Sequence, residues 1–357
     1  MSRFLAPRHG AIRPYTPGEQ PRDREYIKLN TNESPYPPAP GVLEAINPQA
    51  VSELMLYSDP EARALHQAIA DHYQLDRNQV LAGNGSDEIL AFAFQAFCDA
   101  GHPVAFPDIS YGFYPVFAQI YGIPARVIPL DERFQVRAAD YFDSGAMVVI
   151  ANPNAPTGQY LELEDIGEIC RRNRDNVVLI DEAYVDFGGE SAAALLPEHE
   201  NLLVTQTFSK SRNLAGARIG FALGSPELIG DLRKMKYSFN PYNLNRLSIL
   251  AGAAAMRDQT YFGECREKII AVREWTIDAL RQRGFLALDS RANFIFAAPP
   301  EGLSGGEYYL GLKKRGILVR HFSLPRIENF VRITVGTKEQ MEALLRSSDE
   351  LLKEAGR

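Results

Sequence analysis

The chain has 357 residues with 45% hydrophobic and 23% charged positions, enough for a large domain and a smaller one around real cores, which excludes a fibrous or disordered protein. Lysine and arginine (38) fall short of aspartate and glutamate (45) by 7, and no basic run could track a phosphate backbone, so nucleic acid is not an expected partner. No apolar stretch approaches the ~18 residues of a membrane span, and the opening Met1-Ser2-Arg3-Phe4-Leu5-Ala6-Pro7-Arg8 lacks the apolar run of a signal peptide. The expected location is the cytoplasm, with no membrane partner.

Cys98, Cys170 and Cys265 are too far apart for a zinc knuckle or a disulfide framework, and the six histidines show no metal-ligand spacing. No metal is expected. Residues 15–40 are rich in Pro, Gly and Asn and predict an extended arm whose Tyr26, Ile27, Leu29 and Tyr36 need another surface to lie on. From about residue 60 to 224 the pattern alternates: helix 61–73, strand 79–82, helix 86–98, strand 103–106, then strands 147–151, 177–180 and 202–205 between helical segments. Short apolar strands between helices predict an α/β sheet covered on both faces. Beyond Asn240 a long helical stretch runs to Arg283, followed by strands 293–297, 317–320 and 330–335, as in a smaller α+β unit. Thr337-Lys338-Glu339-Gln340 has capping-box spacing for a last helix packed through Leu344, Leu345, Leu351 and Leu352.

Four strand ends carry polar residues where open α/β sheets collect ligands. Gly83-Asn84-Gly85-Ser86-Asp87-Glu88 joins a strand to a helix; its free amides suit a phosphate, and a plain helix cap explains it equally well. It is no dinucleotide fingerprint, because Glu88 occupies the place of the third glycine. Asp181 ends a buried strand, where a carboxylate needs a cation or several donors; it either caps a loop or partners a protonated ring nitrogen. Thr207-Phe208-Ser209-Lys210 puts a lysine at another strand end, with Arg218 eight residues on. Apolar Phe208 and Leu214-Ala215-Gly216-Ala217 favour a packed loop, in which desolvation and a neighbouring cation lower the lysine pKa, over a surface one. Asn152-Pro153-Asn154-Ala155-Pro156-Thr157-Gly158 is a rigid turn that turn chemistry alone would explain.

Taken in order with Lys28-Leu29-Asn30-Thr31-Asn32-Glu33-Ser34-Pro35-Tyr36, Tyr57, Tyr111, Asp181 to Tyr184 and Val331-Arg332-Ile333-Thr334-Val335-Gly336, these pieces resemble the fold-type I pyridoxal-phosphate aminotransferases over nearly the whole chain, and within their class II members the histidinol-phosphate aminotransferase family. The resemblance implies a large domain with a mostly parallel seven-stranded sheet between helices and a smaller α+β domain, divided as arm 1–40, large domain 41–245 and small domain 246–357. It implies that Lys210 forms the Schiff base with pyridoxal 5'-phosphate and shuttles the substrate proton, that Asp181 keeps the pyridine nitrogen protonated, and that Tyr184 donates to the ring's 3-oxygen. Tyr111 would stack on the ring, while amides of Gly85, Ser86 and Asp87 with Thr207, Ser209 and Arg218 would hold the phosphate. Tyr57 would reach that phosphate from the neighbouring subunit of a homodimer with shared active sites. Arg332 and Arg320 would bind substrate anions, with Tyr15 and Asn32 of the arm as helpers; for Tyr15 a role as an aromatic staple of the arm stands equally. The implied reaction converts L-histidinol phosphate and 2-oxoglutarate to imidazole acetol phosphate and glutamate, a step of histidine biosynthesis. An aromatic amino-acid aminotransferase and a threonine-phosphate decarboxylase are the alternatives. One departure is Ala155, which stands where most members have an asparagine that contacts the 3-oxygen.

Overall fold

The computed structural model describes residues 2–356. Its strands, in chain order, are β1 Ile27–Lys28, β2 Val80–Asn84, β3 Val104–Pro107, β4 Ala125–Ile128, β5 Met147–Ala151, β6 Val178–Asp181, β7 Leu202–Thr207, β8 Ile219–Gly224, β9 Leu286–Ala287, β10 Phe294–Ala298, β11 Ile317–Leu318, β12 Arg320–His321 and β13 Val331–Thr334. Seven form one sheet in the order β2-β8-β7-β6-β5-β3-β4. Strand β8 runs antiparallel to both neighbours, and the pairings from β7 through β4 are parallel. The sheet has the expected strand count and mostly parallel sense.

Strands β5 to β8 are buried along their whole length, so helices must cover both faces. Because successive side chains point to opposite faces, Val148, Ile150, Val178, Ile180 and Val204 join one core with Leu65 and Ile69. Met147, Val149, Leu179 and Leu203 join the other with Ile89, Phe92 and Ile229. Edge strand β2 does not leave Ala82 N–H free: it donates to Nε2 of buried His66 at 2.9 Å. Burial pushes His66 down to about 3, which keeps that nitrogen an acceptor.

The second layer is the antiparallel sheet β12-β13-β10-β9, packed against the helices Gln259–Gln282, Gly305–Lys314 and Lys338–Glu354. The last helix opens with the expected capping box, Thr337 with Gln340, and buries Leu344, Leu345, Leu351 and Leu352. The arm is held by the pairing of β1 with β11 and by Thr334 N–H donating to Leu29 O at 2.9 Å. A cluster of Ile109, Leu130 and Phe134 from one layer with Phe296, Ile327 and Phe330 from the other joins the two.

Three local expectations change. The helical stretch 240–283 is two helices, Arg246–Arg257 and Gln259–Gln282, because Asp258 accepts from Tyr261 N–H and starts a new helix. The first of these packs its Ile249, Ala253 and Met256 into the core of the large sheet, although the expected division put it with the small unit. The expected strand 317–320 is two short ones that pair with β1 and with β13.

Candidate active site

The carboxyl ends of β5, β6 and β7 open into a cavity of about 640 Å³ lined from both layers and from the arm. It gathers Tyr15, Asn32, Ser86, Asp87, Tyr111, Asp181, Tyr184, Thr207, Ser209, Lys210, Arg218, Arg320 and Arg332, so nearly every residue expected in the site is there.

Asp181 is the last residue of β6 and is 4% exposed. Tyr114 donates to its Oδ2 at 2.9 Å, while Oδ1 has no hydrogen-bond partner. Burial drives the carboxyl up to about 7, opposed by the Tyr114 bond and reinforced by Asp87. A buried carboxylate with one bare oxygen is costly and accepts a proton-bearing nitrogen well.

Lys210 follows β7 in a loop closed by Leu214 N–H donating to Phe208 O at 3.0 Å. Its Nζ donates to Thr31 O of the arm at 3.2 Å and lies 5.8 Å from the Tyr184 ring. Burial first, and then the Arg332 guanidinium, lower it to about 8, so a sizeable share is the nucleophilic free amine near neutral pH. Tyr184 stands edge-on to Phe294 at 5.0 Å, and its hydroxyl accepts from Asn32 Nδ2 at 2.9 Å. Asn32 is fixed in turn at φ 56° by its own N–H donating to Thr334 Oγ1.

The anion cradle is the start of the helix Ser86–Phe97 behind Gly85 at φ 81°. Close approach of the two strands demands Gly220, since a Cβ there would lie 2.2 Å from Ser86 N. Arg218 reaches into the cradle, with Nη2 3.3 Å from Asp87 Oδ2 and Nη1 3.5 Å from Ser209 Oγ. Thr207 Oγ1 donates to Ser209 Oγ at 3.0 Å, and Tyr111 donates to Asp87 Oδ1 at 2.6 Å. Amides at a helix start, two hydroxyls and a guanidinium suit a phosphate.

In the same cavity, half-buried Arg332 donates to Asn30 O at 3.2 Å and leaves Nε without a partner. Arg320 spans to the arm through Thr16 O and Pro17 O. Tyr15 stacks on Phe113 at 4.5 Å, as a staple of the arm does, and lines the cavity as well.

Of the expected residues, Gly85 stands just behind the lining residue Ser86, and Tyr57 falls elsewhere. Tyr57 lies outside the cavity, 79% exposed and stacked on Tyr242 at 4.5 Å. Asn154 is turned away, its amide donating to Ile109 O and Thr157 Oγ1 and its oxygen accepting from Ser110, so Ala155 forms the wall at that point. Tyr114, Ser110, Phe322 and Ile327 were not foreseen. No helical spacing announces Tyr114, because the helix Tyr114–Tyr121 starts with it and Tyr111, which stands edge-on to it at 5.7 Å, lies before that helix. A second cavity, of about 620 Å³, opens around Arg171, Arg174, Glu198 and His199; burial pushes the Cys170 thiol beside it up to about 12, too high for a nucleophile.

Together the residues fit a pyridine ring bearing a phosphate and an aldehyde, with a bare carboxylate oxygen for the ring nitrogen, a cradle for the phosphate and a neutralisable lysine for the carbonyl. Comparison with known proteins agrees. The family described as aminotransferase class I and II matches residues 24–347. Histidinol-phosphate aminotransferase 1 of Methylococcus capsulatus is 51% identical over 96% of this chain and 95% of its own length, and the histidinol-phosphate aminotransferase of a Marinomonas species is 50% identical over 96% and 98%. The crystal structure of histidinol-phosphate aminotransferase from Sinorhizobium meliloti in complex with pyridoxal-5'-phosphate is 27% identical, with a TM-score of 0.83 over 93% of this chain and 92% of that one. The chain belongs to the class I and II aminotransferases, and within them to the histidinol-phosphate aminotransferase family.

Proposed function

We propose that the protein is a pyridoxal-phosphate-dependent transaminase that exchanges the amino group of L-histidinol phosphate with 2-oxoglutarate in histidine biosynthesis. The observation that carries this reading is the pairing, in one cavity, of Asp181 with its bare Oδ1 and partly neutral Lys210 opposite the guanidinium of Arg332. The names of relatives about half identical over nearly the whole chain supply the substrate.

The bound cofactor supplies an electron sink that acidifies the C–H bond beside the substrate nitrogen. Asp181 Oδ1 holds a proton on the ring nitrogen, and Tyr114 keeps that carboxylate aimed. Tyr184, oriented by Asn32, would donate its hydroxyl proton to the ring oxygen, to which the Ala155 side chain has no polar atom to offer. Gly85, Ser86, Asp87, Thr207, Ser209 and Arg218 bind the phosphate, and Tyr111 covers the ring. Lys210 Nζ would take the proton from the substrate carbon and return it to the carbon on the other side of the substrate nitrogen, from an amine that Thr31 O holds at the site. Arg332 and Arg320 bind the carboxylate of glutamate in one half reaction and the phosphate of the amine in the other, and Tyr15 and Asn32 close the site from the arm.

The working unit is a homodimer in the cytoplasm, with Tyr57 completing the partner's phosphate site and the chain divided near residue 40 and, since helix Arg246–Arg257 packs on the large sheet, near residue 258. Leu43 (67% exposed), Met55 (86%), Tyr57 and Phe239 (73%) support the dimer, because such side chains seldom stand in water together. The test mixes cofactor-loaded protein with L-histidinol phosphate, L-phenylalanine or L-threonine phosphate in separate single turnovers. The amino-loaded cofactor should form fastest with histidinol phosphate; a preference for phenylalanine, or carbon dioxide from threonine phosphate, overturns the substrate.

A further inference from the structure

Glu88 is outside the cavity lining, yet its carboxylate touches the cradle from behind. Its Oε2 accepts from Asn84 N–H at 2.6 Å, at the turn that leads into Gly85, and from Asn243 Nδ2 at 2.5 Å. Asn243 is 8% exposed and sits between Tyr242, which stacks on Tyr57, and Leu244, whose carbonyl accepts from Ser58 Oγ at 2.6 Å. Arg246 then donates to Tyr57 O at 3.3 Å and to Glu53 Oε2 at 2.9 Å. Residues 53–58 and 242–246 therefore form one braced platform carrying the exposed side chains of Leu54, Met55, Leu56, Tyr57 and Tyr242. The Glu88–Asn243 bond links the platform to the turn that sets the cradle amides.

We propose that Glu88 is a positioning residue that joins the phosphate cradle to the subunit-facing platform, so that phosphate occupancy and subunit association strengthen each other. The inference rests on the homodimer reading above. A shift of the platform on docking moves Asn243, and Glu88 passes that shift to Asn84 and Gly85; thermodynamic linkage makes the effect reciprocal. The carboxylate is suited to this because one oxygen takes both donors, so neither can move without the other.

The test uses full-length protein with and without pyridoxal phosphate and reads two quantities: cofactor affinity, by absorbance titration of the cofactor-free protein, and the rate of subunit exchange between two differently tagged populations. In the parent protein the cofactor should slow exchange about tenfold, within the usual range of coupling between sites. Asn243→Ala and Glu88→Ala should each weaken cofactor affinity about tenfold and cut the slowing to the share that the partner's Tyr57 carries directly, and the double variant should lose no more than either single one. Glu88→Gln retains an acceptor oxygen and should behave as the parent, which separates positioning from a general loss of stability. A cofactor effect on exchange that is undiminished in Asn243→Ala, or additive losses in the double variant, overturns the link while leaving the dimer intact. A monomeric holoprotein overturns the dimer reading itself and the link with it.

Discussion

Asp181 directly ends a short apolar run and Lys210 follows another after a few mostly polar residues, strand ends that the sequence displays, and both occupy the cavity as expected. What the sequence hides is the company they keep. Tyr114 on Asp181, Thr31 O on Lys210 and Asn32 on Tyr184 join residues 67, 179 and 152 positions apart, and no local pattern encodes such meetings. These partners make the site sensitive to pH. Uptake of pyridoxal phosphate by the cofactor-free protein needs the neutral Lys210 amine, so its rate should rise with pH and level off above about 8. Arg332 holds that value down, and Arg332→Gln should therefore move the midpoint upward; a stopped-flow pH profile with an unmoved or lower midpoint would break the assigned coupling. Asp181 has the opposite sign. Its carboxyl is raised to about 7 by burial, so the stability it contributes to the cofactor-free protein is complete below about 4 and disappears as pH climbs through 7. Cofactor-free Asp181→Asn lacks that loss and should out-melt the parent by a margin that widens between pH 5 and 8, on the order of a few kcal/mol, while binding the cofactor more weakly. A margin constant across that range would show that Asp181 is already ionised at pH 5 and that burial does not raise its carboxyl.

Elements with a clear period or a cap signal were legible: helix Lys338–Glu354 through Thr337 and Gln340, and β5 to the residue. Strand β8 was not. Its Ile219-Gly220-Phe221 follows the Arg218 loop directly, and a glycine-interrupted run beside polar residues looks like more loop. Strand β4 was missed for another reason: it is an edge strand with three of four residues exposed, so it carries no apolar alternation. Strand β8 is where the cradle is most exacting. A Cβ on Gly220 would meet Ser86 N at 2.2 Å and Gly85 C at 2.4 Å, backbone atoms that no side-chain rotation can relieve. Gly220→Ala should therefore push the start of helix Ser86–Phe97 off its seat and weaken cofactor binding tenfold or more, about 1.4 kcal/mol. An absorbance titration checks it, and parent-like affinity would mean that the cradle amides do not hold the phosphate.

At the scale of the molecule, two sheets and the arm line one cavity, and the platform stands outside it, joined to its phosphate cradle through Asn243 and Glu88. The division into a large sheet and a smaller unit could be inferred from the change of pattern after Asn240, but the seat of helix Arg246–Arg257 could not, because its small apolar residues suit either core. That helix packs beside helices Pro40–Ala45 and Arg63–Tyr73 and so carries the platform on the large sheet. Met55 is 86% exposed there and two residues from Tyr57. If the platform meets a second copy, a carboxylate at position 55 must be desolvated on docking and has no cation supplied to meet it, a cost of a few kcal/mol in each subunit. Met55→Glu should convert a dimer into a monomer at micromolar concentration, seen by sedimentation, while leaving the fold and its far-ultraviolet dichroism intact. Turnover should fall with the monomer fraction, because each cavity then lacks the partner's tyrosine, and raising the protein concentration should restore it. A Met55→Glu protein that remains dimeric would place the subunit interface elsewhere, and one that is monomeric yet fully active would remove Tyr57 from the phosphate site.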